Sequence, residues 1–315
     1  MANVVANPRF WKKKAILIKR EVTVGVDAEP TGAANWIEAR NVTFQPFDVE
    51  TADRNIEAPY MGNGGKLITG KYSTLSFELA LVGPGVPGGV PKFAPLLFAA
   101  AFAETLTEDT AAAYSLVSSN IESVTAYINI DQVTHKMVGC RCNVALTMSA
   151  KGIPLLRIEM QSIYTVPVAE APPVVDREGW PIEQPVTAAT TSGMVFGATT
   201  LAYSTFELNL GNQLARIDLP GPQVEVAITD RKPTGSVTVL APGLGVFDPF
   251  ALATAGTVVD VTTTQDSRIG HKAKVDAKVR IIGVEYDRIE EMLAYKLTLE
   301  PTPVAGNDEI TLTYL

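Results

Sequence analysis

The sequence predicts a mainly β protein with a minor helical component, organised as two tandem β-rich halves. Three observations support this prediction. Apolar and polar residues alternate with period two along much of the chain, helical signals are few, and the segment from Ile68 matches the segment from Ile228 without a gap. The 315 residues are enough for about two domains.

The first half contains four predicted strands. In the clearest one, 72–82, Leu75, Phe77, Leu79 and Leu81 share one face, and polar or small residues occupy the other. This alternation predicts a strand with one buried face. The other predicted strands of the first half are 123–130, 140–149 and 155–166.

The second half contains five predicted strands and one of the two predicted helices. The strands are 204–210, 223–229, 235–241, 274–286 and 293–300. The helices are 92–102, which is rich in Ala and Leu, and 247–256. Asp248 can cap the second helix, Pro249 suits its first position and Gly256 suits its C-terminal end. Residues 11–20 are compatible with either a helix or a strand.

A stretch rich in Pro, Thr and Ala with little periodicity separates the halves. We interpret it as an inter-domain linker. The predicted organisation is a first domain at 1–168 with an N-terminal arm at 1–20, a linker at 169–195, and a second domain at 196–315.

The internal match indicates a duplicated domain. The identical pairs are Ile68/Ile228, Thr69/Thr229, Thr74/Thr234, Ser76/Ser236, Gly83/Gly243 and Gly85/Gly245. Phe93-Ala-Pro95 and Phe247-Asp-Pro249 then open the two predicted helices. Each half is expected to run strand, polar hairpin, strand, Gly-x-Gly loop, helix and further strands. Chance similarity between β-rich segments is the alternative, but the ordered agreement favours duplication. Two units are too few for a solenoid and suit a ring.

Composition excludes several classes of protein. The formal net charge is −8, which disfavours wrapping DNA phosphates on a basic face. No apolar run is long enough to span a membrane, and the N-terminus does not read as a secretory signal. Two cysteines cannot form a disulfide framework. We therefore expect a soluble, cytoplasmic, globular chain.

No residue pattern supports catalysis, a cofactor or a metal ion. The metal candidates His135, Cys140 and Cys142 fall short of a zinc site, and the two cysteines are expected to be small buried side chains. The run Gly83–Gly88 fits G-x-G-x-x-G, but Pro84 and Pro87 lack the N–H groups that would hold a pyrophosphate. We expect an ordinary connection there, and no enzyme.

Two surface segments are candidates for subunit contacts. The first 20 residues carry six positive charges, including Lys12, Lys13 and Lys14, and form either a solvated arm or an arm that docks on a neighbouring subunit. Residues 45–70 are long for a hairpin loop and carry Arg54, Tyr60 and Lys66. A flexible surface loop is the alternative there.

The run from Lys12 to Leu67 resembles the opening of tail tube (major tail) proteins of long-tailed bacteriophages, and 88–105 is similar to the helix of that family. The resemblance extends over about 1–165 and is weaker over 196–315. It implies β-sandwich or half-barrel domains, each with one flanking helix. It also implies that subunits join their inner sheets edge to edge into a ring with a β-barrel lumen, and that rings stack into a tube.

With two such domains in one chain, the duplication predicts a trimer with pseudo-sixfold symmetry. A lumen that conducts DNA without binding it should not attract phosphates. Glu78 and Glu159 lie opposite the apolar strand faces and are the lumen candidates, although Thr238, the counterpart of Glu78, is neutral.

The expected function is therefore structural, in a non-contractile siphophage tail assembled in the bacterial cytoplasm. The expected partners are other copies of the chain, the tape measure, tail tip and terminator proteins, and DNA that passes without specific binding. A capsid, decoration or contractile-type tube subunit is the alternative.

Overall fold

The computed structural model describes residues 8–221 and 223–315, which form twenty strands and three short helices. The first ten strands are β1 (Lys14–Arg20), β2 (Trp36–Ile37), β3 (Arg40–Asp53), β4 (Lys66–Ala80), β5 (Phe102–Thr107), β6 (Ala111–Leu116), β7 (Val124–Ile130), β8 (Val133–Ser149), β9 (Leu155–Ile163) and β10 (Val168–Ala169). The others are β11 (Met194–Phe196), β12 (Thr199–Leu201), β13 (Tyr203–Asn209), β14 (Asn212–Asp218), β15 (Val224–Arg231), β16 (Thr234–Leu240), β17 (Val259–Gln265), β18 (Ala273–Ile289), β19 (Met292–Pro301) and β20 (Ile310–Tyr314). The helices are α1 (Gly32–Asn35), α2 (Ala94–Ala99) and α3 (Pro249–Ala255). The predicted mainly β class is confirmed.

Eight of the strands form one continuous antiparallel sheet, here called the long sheet. Its order is β3-β4-β9-β8-β13-β16-β19-β18. The first four strands come from the first half of the chain and the last four from the second. The two sets meet where β8 pairs with β13, from Ala145 opposite Asn209 to Ser149 opposite Thr205.

The two four-strand sets have the same internal order. In each set, the strand that precedes the helix lies between the first strand of the set and the second strand of a β-hairpin. In the first set β4 lies between β3 and β9, and in the second set β16 lies between β13 and β19. The long strands β8 and β18 take corresponding places, since each pairs with the strand that follows it.

The first parts of β8 and β18 leave the long sheet and enter outer layers. The start of β8 pairs with β7 and β10, and β7 pairs with β1. The start of β18 pairs with β17 and β20, and β17 pairs with β11. The hairpin β5–β6 extends this second outer layer by pairing with β20, so a first-half element completes a second-half layer.

The apolar faces and the helices enclose a common core. Leu75, Phe77 and Leu79 are 0–1% exposed, which confirms the predicted buried face of β4. In α3, Asp248 accepts hydrogen bonds from the amides of Phe250 and Ala251, both at 3.0 Å, as the capping prediction required. The left-handed φ of +61° at Gly256 follows the end of that helix.

Three expectations about secondary structure need correction or completion. The first helix ends at Ala99 rather than 102, because Ala101 has a φ of +67° and Phe102 begins β5. Residues 11–20 hold a strand, not a helix. The matched segments contain no polar hairpin. Residues 68–80 lie in the single strand β4, and the second-half segment is divided between β15 and β16 at Pro233, which has no N–H for a ladder.

The stretch 45–70 is also more regular than expected. Only residues 54–65 connect β3 to β4, and the outer parts of these strands, Asp48–Asp53 and Lys66–Tyr72, form a paired extension that we call the first arm. A register shift between Gln45 and Asp48, beside Pro46, separates the first arm from the rest of the β3–β4 ladder. The strands β14 and β15 form the second arm, a separate two-stranded sheet.

The predicted linker 169–195 lies in strands only at its ends, with Ala169 in β10 and Met194 and Val195 in β11, and it packs against both halves. Glu183 forms an ion pair with Arg40 of the first half. The side-chain amide of Gln265 in the second half donates to the carbonyl of Gln184 at 2.9 Å.

Candidate assembly surfaces

The long sheet has two open edges among the described residues. At one edge, β3 pairs only with β4. At the other, the part of β18 beyond Val279 pairs only with β19. Open edges present unpaired N–H and C=O groups and are natural sites for a further strand.

The β18 edge carries an exposed aromatic cluster and an acidic turn. Tyr286 is 68% exposed and packs against Phe250 of α3 and Tyr295 of β19, at ring distances of 5.9 and 5.8 Å. The turn between β18 and β19 is Glu290-Glu291, and both residues have positive φ, as the two-residue hairpin connection requires. Arg288 of the same strand contacts the Glu291 carboxylate at 3.3 Å, so the edge presents apolar surface together with a partly neutralised acidic turn.

The β3 edge is bordered by a groove formed with the N-terminal segment. Its lining includes Trp11, Lys12, Lys14, Trp36 and Val42. The ammonium of Lys14 lies 3.2 Å from the centre of the Trp11 ring, a cation–π contact. Desolvation lowers the pKa of Lys14 below its usual value. Trp11 is 64% exposed, so the groove presents an aromatic wall with positive charge beside it.

Lys13 has a different environment from its neighbours. Its ammonium is 3.6 Å from the carboxylate of Asp131, and the amide of Phe10 donates to the same carboxylate at 2.7 Å. These contacts anchor the described part of the predicted arm to the turn after β7. Residues 1–7 of that arm lie outside the described residues.

Arg54, Tyr60 and Lys66 all lie at the end of the first arm. The connection 54–65 is exposed throughout, and Tyr60 is 76% exposed. Lys66 forms an ion pair with Asp53 at 3.4 Å, and both side chains are more than half exposed. The three predicted contact residues of this region therefore lie in or directly beside one exposed connection.

Glu78 and Glu159 lie on neighbouring strands of the long sheet, on the face opposite the core. Glu78 is directly opposite Arg157, and Glu159 is opposite Ser76. The guanidinium of Arg157 contacts the Glu159 carboxylate at 2.7 Å, and Asn41 donates to Glu78 at 2.6 Å. The two candidates therefore belong to a mixed-charge polar face rather than to a purely acidic patch.

The second arm is fixed to the first half by arginines that the sequence analysis did not single out. Arg216 reaches Asp48 of the first arm at 2.6 Å and stacks over the Tyr72 ring at 4.6 Å. Arg141 of β8 donates to the carbonyl of Val226 at 2.5 Å. No local motif marks these contacts, because the partners are more than 80 residues apart in sequence.

The glycines of the run Gly83–Gly88 have a structural role. The amides of Gly83 and Gly85 donate to the carbonyls of His271 and Gly270 at 3.0 and 2.8 Å. A Cβ on Gly83 would lie 2.6 Å from the His271 backbone, and one on Gly88 would lie 2.7 Å from the Asp109 amide. The run is a close contact between loops, which agrees with the interpretation as an ordinary connection.

The cysteines are buried, as expected, and burial raises the pKa of both thiols. His135 stacks edge-on against Phe44 at 4.9 Å between ring centres. Within residues 8–221 and 223–315, no group of three His, Cys, Asp or Glu side chains could hold a metal ion. No described helix is long and apolar enough to cross a membrane.

Comparison with known protein families identifies the family of the chain that carries these surfaces. Residues 11–314 match the family model described as phage tail tube protein. The chain belongs to this family. Tail tube proteins are structural components of the virion tail and not enzymes, so the predicted structural role is confirmed at this level. No curated protein matches the chain.

For a tail tube protein, the open sheet edges, the groove and the arms are candidate contacts with other copies of the chain and with other tail components. The family match covers both halves of the chain, including 196–314, where the resemblance read from the sequence was weaker.

Proposed function

We propose that this tail tube protein assembles into trimeric rings with pseudo-sixfold symmetry, which stack into the tube of a long non-contractile siphophage tail and conduct DNA into the host. The observation that carries the proposal is the long sheet, in which two four-strand sets of the same order lie side by side within one chain.

In this proposal the chain is a tandem duplication. The first tube domain spans 1–168 and the second spans 196–315, with 169–195 as the linker. The matching strand order on either side of the β8–β13 junction supports this division, together with the positions of α2 and α3 after β4 and β16.

A ring of three chains would give a lumen of suitable size. Three long sheets of eight strands provide about 24 strands, and at about 4.8 Å spacing and about 40° tilt the circumference is on the order of 150 Å. The backbone diameter is then roughly 48 Å, which leaves room for side chains and a DNA duplex.

We assign the polar face of the long sheet to the lumen, with Glu78 and Glu159 among its lining residues. The core occupies the opposite face, so only the polar face can line a water-filled channel without exposing apolar side chains. The Arg157–Glu159 contact keeps positive charge next to negative charge. Such a surface offers no continuous basic track that would hold DNA phosphates.

We propose that the end of the first arm and the N-terminal lysines contribute to contacts between subunits and between stacked rings. Charge reversal at Arg54 or Lys66 should disrupt stacking with little effect on folding, because the exposed Lys66–Asp53 pair is worth about 0–1 kcal/mol. Deleting residues 1–14 should likewise weaken stacking and leave the core folded. Tubes of normal length from these variants would refute the assignment.

The tape measure, tail tip and terminator proteins are the proposed partners at the interior and ends of the tube, and assembly is proposed to take place in the bacterial cytoplasm. Electron microscopy of the purified protein, with light-scattering mass on the same sample, tests the central proposal. Hollow tubes with three chains and six similar lobes per ring are expected. Closed shells, or a small oligomer without a channel, would refute it.

A further inference from the structure

The junction between β8 and β13 shows how two four-strand sets of this protein pair. The ladder is antiparallel, with Thr147 opposite Glu207. Just beyond it, the β8–β9 turn is held by Ser204 at the start of β13 and by Val186 of the predicted linker. The amide of Ala150 donates to Ser204 at 2.7 Å, and that of Lys151 donates to Val186 at 2.8 Å.

The strands at the two open edges of the long sheet, β3 and β18, hold positions in their four-strand sets equivalent to those of β13 and β8, which form this junction. β3 flanks β4 as β13 flanks β16, and β18 flanks β19 as β8 flanks β9. A β18 edge from one copy and a β3 edge from another can therefore pair as β8 and β13 do within the chain.

The β3 side of this pairing can be placed by residue. Ser76 and Ser236 correspond in the internal match; Ser76 lies opposite Thr43, and Ser236 lies opposite Glu207. Thr43 is therefore the counterpart of Glu207.

The β18 side follows from the residues paired with the same serines on the other side. In the first set, Ser76 pairs with Glu159 of β9, and Glu159 pairs with Asn143 of β8. In the second set, Ser236 pairs with Thr298 of β19, and Thr298 pairs with Gly283 of β18.

Asn143 and Gly283 are therefore counterparts, and Asp287 corresponds to Thr147 by the same count along the strand. Since Thr147 pairs with Glu207, Asp287 should pair with Thr43 of the next copy.

The side chains at this register are compatible. One position along the ladder, Tyr286 comes opposite Phe44, and both lie on the core-facing side of their strands. Aromatic pairs on one face of an antiparallel ladder are stabilising. Pairing would also cover the Tyr286 ring, which is 68% exposed in the single chain.

The charges next to the ladder are complementary. Beyond Ile289, which comes opposite Asn41, the acidic turn Glu290-Glu291 would lie over the groove that contains Lys12 and Lys14. This is the position at which the internal β8–β9 turn meets Ser204 and Val186.

We propose that neighbouring copies join by antiparallel pairing of β18 with β3, with Asp287 opposite Thr43 and the Glu290-Glu291 turn seated in the groove of Lys12 and Lys14. The occupant of the groove is a second copy of this chain. This inference rests on the proposed ring assembly and specifies its interface.

Disulfide trapping tests the register. In the double variant Thr43→Cys/Asp287→Cys, oxidation of assembled protein should give covalent dimers and trimers on a non-reducing gel. The matched control is Gln45→Cys/Asp287→Cys, in which the pair is displaced by two residues. Diagonal pairs lie about 7–8 Å apart, beyond the range of most disulfides. The native cysteines are fully buried and can remain.

The outcomes separate the interface from the ring proposal. Cross-linking of the Thr43 pair above the control supports the register. Tubes or rings with cross-linking only in the Gln45 pair, or in neither, would overturn the interface and leave the tube function standing. A wild-type chain that stays monomeric, with no cross-link in any variant, would contradict both.

Charge exchange tests the groove without new covalent bonds. Two double variants reverse the charge on one side of the contact, Glu290→Lys/Glu291→Lys and Lys12→Glu/Lys14→Glu. Each should raise the protein concentration needed for assembly at least tenfold. The variant that combines all four changes should assemble at a concentration close to that of the wild type. Glu108→Lys/Asp109→Lys, in the exposed β5–β6 turn, is the control and should assemble normally. Additive rather than compensating defects in the four-fold variant would refute the groove contact.

Discussion

Replacing Arg231 by Met should destabilise the protein strongly, because Arg231 is the cation for a buried carboxylate. Its guanidinium contacts Glu309 at 2.7 and 2.9 Å and donates to the carbonyl of Val117 at 3.2 Å. The Glu309 side chain is 4% exposed, and its other oxygen has no hydrogen-bond partner in the structure. Removing Arg231 leaves that charge buried and unpaired.

The expected loss in the free energy of unfolding lies near the lower end of the range measured for broken buried ion pairs. Loss of one partner typically costs 3–5 kcal/mol, and the Arg231 side chain retains 14% exposure, so about 3 kcal/mol is expected. With a slope of about 3 kcal/mol per molar urea for a chain of this size, the unfolding midpoint should fall by about 1 M.

Urea titration followed by tryptophan fluorescence and circular dichroism measures this shift. The double variant Arg231→Met/Glu309→Gln should recover most of the loss, because no buried charge then remains. Lys232→Met removes the adjacent but exposed pair with Asp230 and should change stability by less than about 1 kcal/mol. Equal effects of Arg231→Met and Lys232→Met would refute the reasoning.

Three further predictions concern the core, a helix cap and acid stability. Phe77→Asp should give insoluble or unfolded protein, because it places a charge at a fully buried site; cooperative unfolding of a soluble variant would show the assignment to be wrong. Asp248→Ala should cost about 1 kcal/mol in thermal unfolding, since two amides at the start of α3 lose their acceptor, whereas Asp248→Asn should cost much less. Burial would raise the pKa of Asp266, but hydrogen bonds from Arg268 outweigh burial and hold it below the usual value. Its stabilising contribution is thus present above about pH 4 and lost as the pH falls below that. Asp266→Asn should therefore reduce the free energy of unfolding at pH 7 and make it depend less on pH below about pH 4.

Local pattern was sufficient for elements whose stability depends on neighbours in sequence. The alternation through Leu75, Phe77 and Leu79 identified the buried face of β4, and Asp248 and Gly256 marked the ends of α3. These signals work because period-two burial and helix capping are local.

The extent of β3 in the first arm was underestimated because residues 48–53 are not buried on either face and a register shift interrupts their ladder. Residues 48–53 have no buried member, so they lack the alternation that reveals a half-buried strand. Pro46 also reads as a loop signal, although a Pro is tolerated in an edge strand such as β3.

Contacts between residues far apart in sequence could not be predicted from one sequence. Arg231 and Glu309 are 78 residues apart within the second half, and nothing near either residue indicates the other. The run Gly83–Gly88 was judged unsuited to a nucleotide because of its prolines, but the contact of its glycines with the loop at His271 appears only in three dimensions.

The pairing of β6 with β20 makes the two halves of the chain inseparable in a way that a linker alone would not. Ala112–Ser115, in the β5–β6 hairpin of the first half, pair with β20 in a layer whose remaining strands belong to the second half. A gene broken within 169–195 would encode two polypeptides, each with an uncovered sheet edge that only the other could cover. Recombination between related genes would meet the same constraint, because a new second half must bring a β20 that fits the resident β6.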